Sequence, residues 1–311
     1  MSQAIVVPQH GGSEVLRLEE HDPGEPGPGS ARVRVSAIGV NFIDVYMRTG
    51  LYPRPTPFVV GLEGAGVVEA TGPATEGLAQ GDRVAWAAVP GSYAEVLIAP
   101  AERLVSVPEG ISDEVAAAAM LQGMTAHYLV DGVRKTSPGD TALVHAAAGG
   151  VGLLLIQLLK AAQVRVMGTC STEEKEVLAR RAGADEVVRY TERDFASAAR
   201  EWTNGRGVDV VYDSVGKTTF EASMKSIRPR GLLCLYGQSS GVVPPFDLNR
   251  LNAMGSLFVT RPSLAHYTAD RAELEERAGA VLGAVAANDL EVRIGAQFSL
   301  ERAGDAHDAL E

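Results

Sequence analysis

The sequence predicts an α/β protein in which a doubly wound parallel sheet is joined to a β-rich part, and three observations predict it. The first hundred residues break into short strands separated by turn residues, and from Ser112 onward strands alternate with helices. The apolar residues are chiefly Ala, Val and Leu with only 5% aromatics, which suits helices packed on both faces of a parallel sheet. At 311 residues the chain is long enough for two domains of roughly 150 residues each.

Residues 4–7, 15–18, 31–35, 65–69, 83–86 and 94–98 read as strands. Residues 22–30 are so dense in Pro and Gly that they form an exposed connection. Residues 113–121 open with acids and read as a helix, and strands at 141–146, 164–169, 186–190, 208–212 and 231–236 then alternate with helices at 150–162, 172–183, 194–203 and 218–227. Strands at that spacing imply right-handed crossovers. A strand at 255–260, a helix at 271–288, a closing strand at 296–300 and a short helix to 310 complete the chain, and no internal repeat is present.

The net charge of −11 argues against a broad nucleic-acid footprint, so any phosphate site is local. Two cysteines, Cys170 and Cys234, give no disulfide framework and rule out a four-Cys zinc lobe. No apolar run approaches the roughly 18 residues a membrane helix needs, and the start lacks the marks of a signal peptide, so a cytoplasmic protein is expected. The six histidines are scattered without metal or triad spacing, and neither a hydrolase elbow nor a Walker loop is present.

The informative segment is 146–152, Ala-Ala-Ala-Gly-Gly-Val-Gly, lying between an apolar strand and a helix. Ala147, Gly149 and Gly152 occupy the three positions of the GxGxxG dinucleotide fingerprint, with the first glycine replaced. Gly149 lets backbone approach a pyrophosphate, Gly152 lets helix pack on strand, and the helix N-terminus attracts the anion. Ala148, Gly150 and Val151 complete this phosphate-binding turn. The next strand ends in Gly168, Thr169, Cys170 and Ser171, without the acid that grips a ribose diol in NAD sites. Ser171, Thr172 and Lys175 instead supply hydroxyls and a cation for a 2′-phosphate, so NADPH is the expected cofactor; against this, Glu173 and Glu174 are adjacent, and Lys175 also reads as a solvated lysine. Ser214, Gly216, Gly237, Gln238 and Ser239 end later strands, on the carboxyl edge where such sheets bind ligands.

Six segments carry a family resemblance: 39–52 (Gly-Val-Asn-Phe-Ile-Asp-Val-Tyr-Met-Arg-Thr-Gly-Leu-Tyr), 61–68 (Gly-Leu-Glu-Gly-Ala-Gly-Val-Val), 81–84 (Gly-Asp-Arg-Val), 146–152, 211–216 (Val-Tyr-Asp-Ser-Val-Gly) and 259–263 (Val-Thr-Arg-Pro-Ser). Together, from about residue 4 to residue 310, the chain resembles the zinc-independent, zeta-crystallin-like quinone oxidoreductases of the medium-chain dehydrogenase/reductase superfamily. The resemblance implies a GroES-like catalytic domain at 1–115 and 256–311, a Rossmann domain at 116–255, and an NADPH-dependent quinone reductase, commonly a homodimer, working in the cleft between them. The zinc-dependent alcohol dehydrogenases of that superfamily carry a ligand Cys and a Gly-His-Glu segment where this chain has residues 40–44 and Gly61, Leu62 and Glu63, so no metal is expected. A quinone accepts hydride and proton without a Lewis acid.

The resemblance further puts Asn41, Tyr46 and Tyr52 beside the nicotinamide, as cofactor and catalytic residues. Either tyrosine is then a hydrogen-bond donor to the quinone oxygen or a ring that lines the pocket, with Asp44 as a turn brace. Met124 and Thr125 fall at the nicotinamide end, with core packing as the alternative for Met124, Tyr190 falls near the adenosine, and Phe258, Val259 and Thr260 near the carboxamide. Relatives continue past the last helix with a basic segment and a strand, so a cofactor contact from there is expected to be missing or disordered. Two other functions stay open: reduction of an activated C=C bond in an enal or enone, and an NADPH-binding crystallin-like protein with a structural or RNA-binding role.

Overall fold

Strand order fixes the fold class. In the computed structural model, which describes residues 2–311, strands β9 (Thr141–Val144), β10 (Arg165–Cys170), β11 (Glu186–Arg189), β12 (Val208–Asp213), β13 (Ile227–Leu235) and β14 (Phe258–Thr260) form one sheet. Every pairing in it is parallel. Its order, β11-β10-β9-β12-β13-β14, reverses direction between β9 and β12, which is the arrangement of a dinucleotide-binding doubly wound sheet.

Alternation along the strands explains the covering. Leu143, Met167, Val211 and Leu233 pack with residues of α5 (Phe195–Trp202), α6 (Phe220–Ser226) and α7 (Asn249–Ala253). Their strand neighbours Val144, Val166, Val210 and Cys234 project to the opposite face and are buried as well. On that sheet α3 (Gly150–Ala161) packs against β9 and β10, and α4 (Glu173–Arg181) against β10 and β11. Asp209, buried at the start of β12, holds Thr141 of β9 through its backbone and side chain at 2.8 and 2.7 Å, and also takes Arg206 and Arg228. Burial raises its affinity for a proton, but these bonds outweigh that and hold its carboxyl below the usual range.

The other strands are antiparallel. β1 (Ser2–Val7), β2 (Arg17–His21) and β4 (Phe58–Val59) make a sheet ordered β2-β1-β4; β3 (Ser30–Gly39), β5 (Glu63–Thr71), β6 (Arg83–Trp86), β7 (Val96–Pro100) and β8 (Val105–Ser106) make one ordered β7-β3-β5-β6-β8. Trp86, Leu104, Val33 and Val84 fill the core of the larger sheet, and the Trp86 indole donates to Ser92 Oγ at 2.9 Å. By its contacts the chain divides into Met1–Met124 with Thr268–Glu311, and Thr125–Tyr267. The first division falls inside α2 (Asp113–His127), the second after α8 (Leu264–Tyr267), both further along the chain than the expected boundaries at 115 and 255. Two more helices, α9 (Arg271–Ala286) and α10 (Ala303–Leu310), belong to the antiparallel unit.

Two local expectations are corrected. Residues 15–18 do not form one strand: a 3-10 turn at Ser13–Val15 precedes β2, made feasible by Gly11, where a Cβ would lie 2.4 Å from a methyl of Val15. Residues 296–300 form no strand: 293–299 are all exposed and no neighbouring strand pairs with them, leaving nothing to hold an extended backbone. Helix α3 buries Leu153, Leu154, Leu155, Ile156 and Leu159. A further helix, α1 (Phe42–Arg48), follows the third strand where none was expected.

Candidate functional site

At the reversal of strand order, β9 runs into the turn that opens α3. The left-handed residue is Ala146, at φ 49°, one position before the Ala147 that replaces the first fingerprint glycine. Gly149 donates to Ala146 O at 2.9 Å and caps α3 in extended conformation, so the first-turn amides of Gly150, Val151 and Gly152 lie at the helix's positive end. Gly152 is needed for packing: a Cβ there would lie 2.4 Å from Ala146 O and 2.9 Å from Ala147 C. Gly168 on β10 faces the same turn, its Cβ position 2.8 Å from that of Ala147. Ala148 is half-buried and Gly150 exposed.

The β10 end carries Ser171, whose carbonyl accepts from Thr191 Oγ1 at 3.2 Å, and Thr172, which caps α4 by accepting from Lys175 N at 3.3 Å. Lys175 is exposed, as are Glu173 and Glu174, and Tyr190, just after β11, is 54% exposed. Between β12 and α6 the backbone of Ser214 to Gly216 is shaped by Asp213, which takes the N–H groups of Val215 at 2.8 Å and Gly216 at 3.0 Å. Gly237 packs against this loop, where a Cβ would lie 2.5 Å from Ser214 O, and Ser239 N donates to the same oxygen at 3.2 Å. Glycine cradle, helix N-terminus and hydroxyl-lined strand ends fit a dinucleotide phosphate. Phe258 and Val259 stand on the edge strand β14 at 62% and 39% exposure, with Thr260 half-buried beside them.

Sequence reasoning missed what lies beneath this rim. Asp213 also accepts from Ser223 Oγ at 3.0 Å, so Ser223 accepts from His145 Nε2, and His145 Nδ1 accepts from Thr169 Oγ1, both at 2.9 Å. The partners fix a neutral Nε2–H imidazole, and burial holds its pKa below the usual value.

In the antiparallel unit, Asn41 sits between β3 and α1, and Tyr46 on α1 lies with its ring 5.1 Å from that of Tyr52. Asn41 and Tyr46 are buried, Tyr52 is half-buried, and Tyr52 N donates to Tyr46 O at 2.9 Å. Met124 is fully buried and Thr125 nearly so, next to each other near the end of α2. Asp44, buried, braces the turn by accepting from Asn41 N at 2.9 Å. Burial pushes its carboxyl up to about 7, against the bonds from Asn41 and Tyr93. Glu63, also buried, takes Asn41 Nδ2 at 2.6 Å and Leu121 N, and burial pushes it up to about 8.

A directional chain runs from Asp44. Arg48 Nη1 donates to His307 Nδ1 at 3.1 Å, leaving Nε2–H to donate to Tyr93 Oη, which donates to Asp44 Oδ2, both at 3.2 Å. Burial, with the Arg48 charge beside it, pushes His307 down to about 4. Its neutral form therefore supports folding above an unfolded pKa near 6.5, and that support is lost as pH falls from there to about 4, amounting to about 3 kcal/mol. His307→Gln keeps an acceptor for Arg48 and a donor for Tyr93 but does not titrate. In urea melts the stability of the wild type relative to H307Q is expected to drop by about 3 kcal/mol between about pH 7 and pH 4; a constant difference would contradict it.

Residues 27–109 match the alcohol dehydrogenase GroES-like domain, and residues 150–273 the zinc-binding dehydrogenase domain. The chain is 45% identical to the quinone oxidoreductase of Pseudomonas aeruginosa, over 100% of this chain and 96% of that one. It is 43% identical to the 2-haloacrylate reductase of a Burkholderia species, over 99% of this chain and 95% of that one. Of solved structures, the Escherichia coli quinone oxidoreductase complexed with NADPH superposes with a TM-score of 0.97 at 40% identity, covering 99% of this chain and 96% of that one. Sequence shared along the whole length, on a sheet that reverses order at a glycine turn, shows that the chain belongs to the quinone oxidoreductases of the medium-chain dehydrogenase/reductase superfamily.

Proposed function

We propose that this chain is an NADPH-dependent quinone reductase. The observation that carries the reading is its full-length kinship with quinone oxidoreductases, one of them solved with NADPH. The local geometry supports it: the α3 turn fits a pyrophosphate, and Ser171, Thr172 and Lys175 suit a 2′-phosphate. Bound NADPH supplies the hydride. Ala148 to Gly152 hold its pyrophosphate, and Gly168, Ser214, Gly216, Gly237, Ser239 and Tyr190 line the strand ends toward its ribose and adenine. Met124, Thr125 and the Phe258–Thr260 strand serve its nicotinamide end.

Asn41, Tyr46 and Tyr52 act on the quinone. A tyrosine O–H stabilises the negative charge that develops on a quinone oxygen as hydride arrives, and the proton comes from it or from water. The nucleotide role falls to residues 116–255, of which 125–255 lie in the parallel-sheet unit, and the catalytic role to 1–115 and 256–311. The reaction is proposed to run without zinc, because Asn41 and Leu62 occupy positions where zinc-dependent relatives use softer ligands. Exposed Phe258 and Val259 on an unpaired sheet edge support a homodimer, which sedimentation velocity tests. Among the described residues no helix is long and apolar enough to cross a membrane; a cytoplasmic location and no nucleic-acid partner are proposed, the latter supported by the net charge of −11.

One specific observation favours a second reading, reduction of an activated C=C bond: the 43% identity to a 2-haloacrylate reductase. Product analysis separates the two. With NADPH and 1,4-benzoquinone the expected product is hydroquinone, formed at least tenfold faster than 2-chloroacrylate or an enal is saturated; the reverse order would transfer the assignment to the double-bond reductases.

A further inference from the structure

Glu63 opens β5, directly across from Gly39 of β3. Its carboxyl occupies space that no side chain at 39 leaves free: a Cβ there would lie 2.1 Å from Glu63 Oε2 and 2.6 Å from Ala117 O. One oxygen, Oε1, takes Leu121 N from α2, and the other takes Asn41 Nδ2 at 2.6 Å. Asn41 Oδ1 in turn accepts from Gln122 Nε2 at 3.3 Å, and Asn41 N is held by Asp44 at 2.9 Å. The Asn41 amide is thus bonded at both ends, its nitrogen to Glu63 and its oxygen to Gln122 and, across the capping box of α1, to Asp44 N, leaving one N–H.

The bonding admits two arrangements. A backbone N–H only donates, so Oε1 always accepts from Leu121. An ionised Glu63 also accepts through Oε2 and so draws the Asn41 nitrogen toward itself. A protonated Glu63 that carries its O–H on Oε2 donates it to the Asn41 oxygen and turns the amide over, giving up the capping-box bond from Asp44 N, with Gln122 turning to match. We propose that Glu63 is a positioning residue for Asn41, its proton deciding which side of the amide offers an N–H to the quinone oxygen that Asn41 serves.

The inference rests on the reading above that Asn41 touches the ligand. The titratable groups facing Glu63 are Asp44 on α1, which raises its proton affinity, and Tyr93 before β7; Gly39 of β3 and Leu121 and Gln122 of α2 carry no charge. Burial, the dominant cause, brings the Glu63 transition up to about 8, within reach of an assay.

Glu63→Gln tests this, because its amide gives Leu121 an oxygen and Asn41 an N–H, fixing the arrangement of the protonated state. Wild-type kcat with NADPH and 1,4-benzoquinone is expected to change about tenfold across a transition near pH 8. In E63Q it is flat at the low-pH value, with the KM for NADPH unchanged, and E63Q/N41A equals N41A alone. An E63Q profile that keeps the transition, or single-mutant effects that multiply, would overturn the positioning role while leaving the quinone reductase reading intact. Should the wild type oxidise no NADPH with quinone, that reading fails, and the side-chain amide resonances of Asn41 decide the inference alone. They are expected to move with pH in the wild type and stay fixed in E63Q; resonances that ignore pH in the wild type would overturn it.

Discussion

Gly152→Ala is expected to weaken NADPH binding at least a hundredfold while the protein still folds. A Cβ at this position would lie 2.4 Å from Ala146 O and 2.9 Å from both Ala147 C and Ala147 O. These are backbone atoms of the turn itself, held by Gly149 N donating to Ala146 O and Ala147 N donating to Thr169 O, and no side-chain rotation relieves the overlap. Either α3 lifts away from β9 or the turn opens. Overpacking of this kind costs about 1–3 kcal/mol, which a domain of this size survives. It also displaces the first-turn amides proposed to hold the pyrophosphate, where small misplacement is expensive. Gly149→Ala is the matched control: its Cβ would approach only Ala146 O, at 3.2 Å, so the melting temperature is expected to change little while affinity falls through contact with the ligand. Isothermal titration with NADPH, with circular dichroism melts of both variants, checks the pair. Normal NADPH affinity in G152A would show that the turn does not hold the cofactor.

Asp213→Ala is expected to cost at least about 3 kcal/mol of stability and to weaken NADPH binding about tenfold. Its carboxylate, 0% exposed, accepts from Val215 N, Gly216 N, Thr219 Oγ1 and Ser223 Oγ. Alanine leaves these buried donors without their acceptor, each at about 1–3 kcal/mol. The loss then spreads: Ser223 Oγ no longer has a fixed proton direction, so the bond with His145 Nε2 and the bond from Thr169 to His145 Nδ1 lose their orientation. That chain ties the ends of β9, β10 and β12, which together frame the reversal of strand order. Asp213→Asn, which retains one acceptor oxygen, is expected to lose about half as much. Urea midpoints report the stability and fluorescence titration the affinity. A D213A variant as stable as the wild type would mean that the network is not under load.

What was legible in the sequence divides along a physical line. The parallel sheet and its helices were readable because both signals are local: apolar runs in strands, and acids or hydroxyls at helix starts such as Asp194, which caps α5 by accepting from Ser197 N. The glycine turn at the start of α3 was readable because Gly149 and Gly152 sit three residues apart on the elements they serve. Even there the left-handed residue proved to be Ala146, and φ leaves no mark in a residue that does not need to be glycine.

The buried polar networks were not readable. Asn41, Glu63 and Gln122 are brought together by β3, β5 and α2, and Arg48, Tyr93 and His307 by elements as far apart as α1 and α10. No spacing rule links such positions, and singly each reads as an ordinary polar residue. One trace existed in retrospect: Gly39, which no turn requires, is glycine because Glu63 approaches the backbone there. Residues 296–300 misled for the opposite reason, since alternating apolar residues there suggest a strand that has no neighbour to pair with.

The most direct test of NADPH-dependent quinone reduction is the initial rate of cofactor oxidation with 1,4-benzoquinone, NADPH and NADH compared at matched concentrations with EDTA present. A rapid rate with NADPH, at least tenfold above that with NADH, is expected, with the margin shrinking in Lys175→Ala as the 2′-phosphate loses its cation. No quinone-dependent oxidation of NADPH, or a rate that EDTA abolishes, would contradict a zinc-free NADPH:quinone reductase.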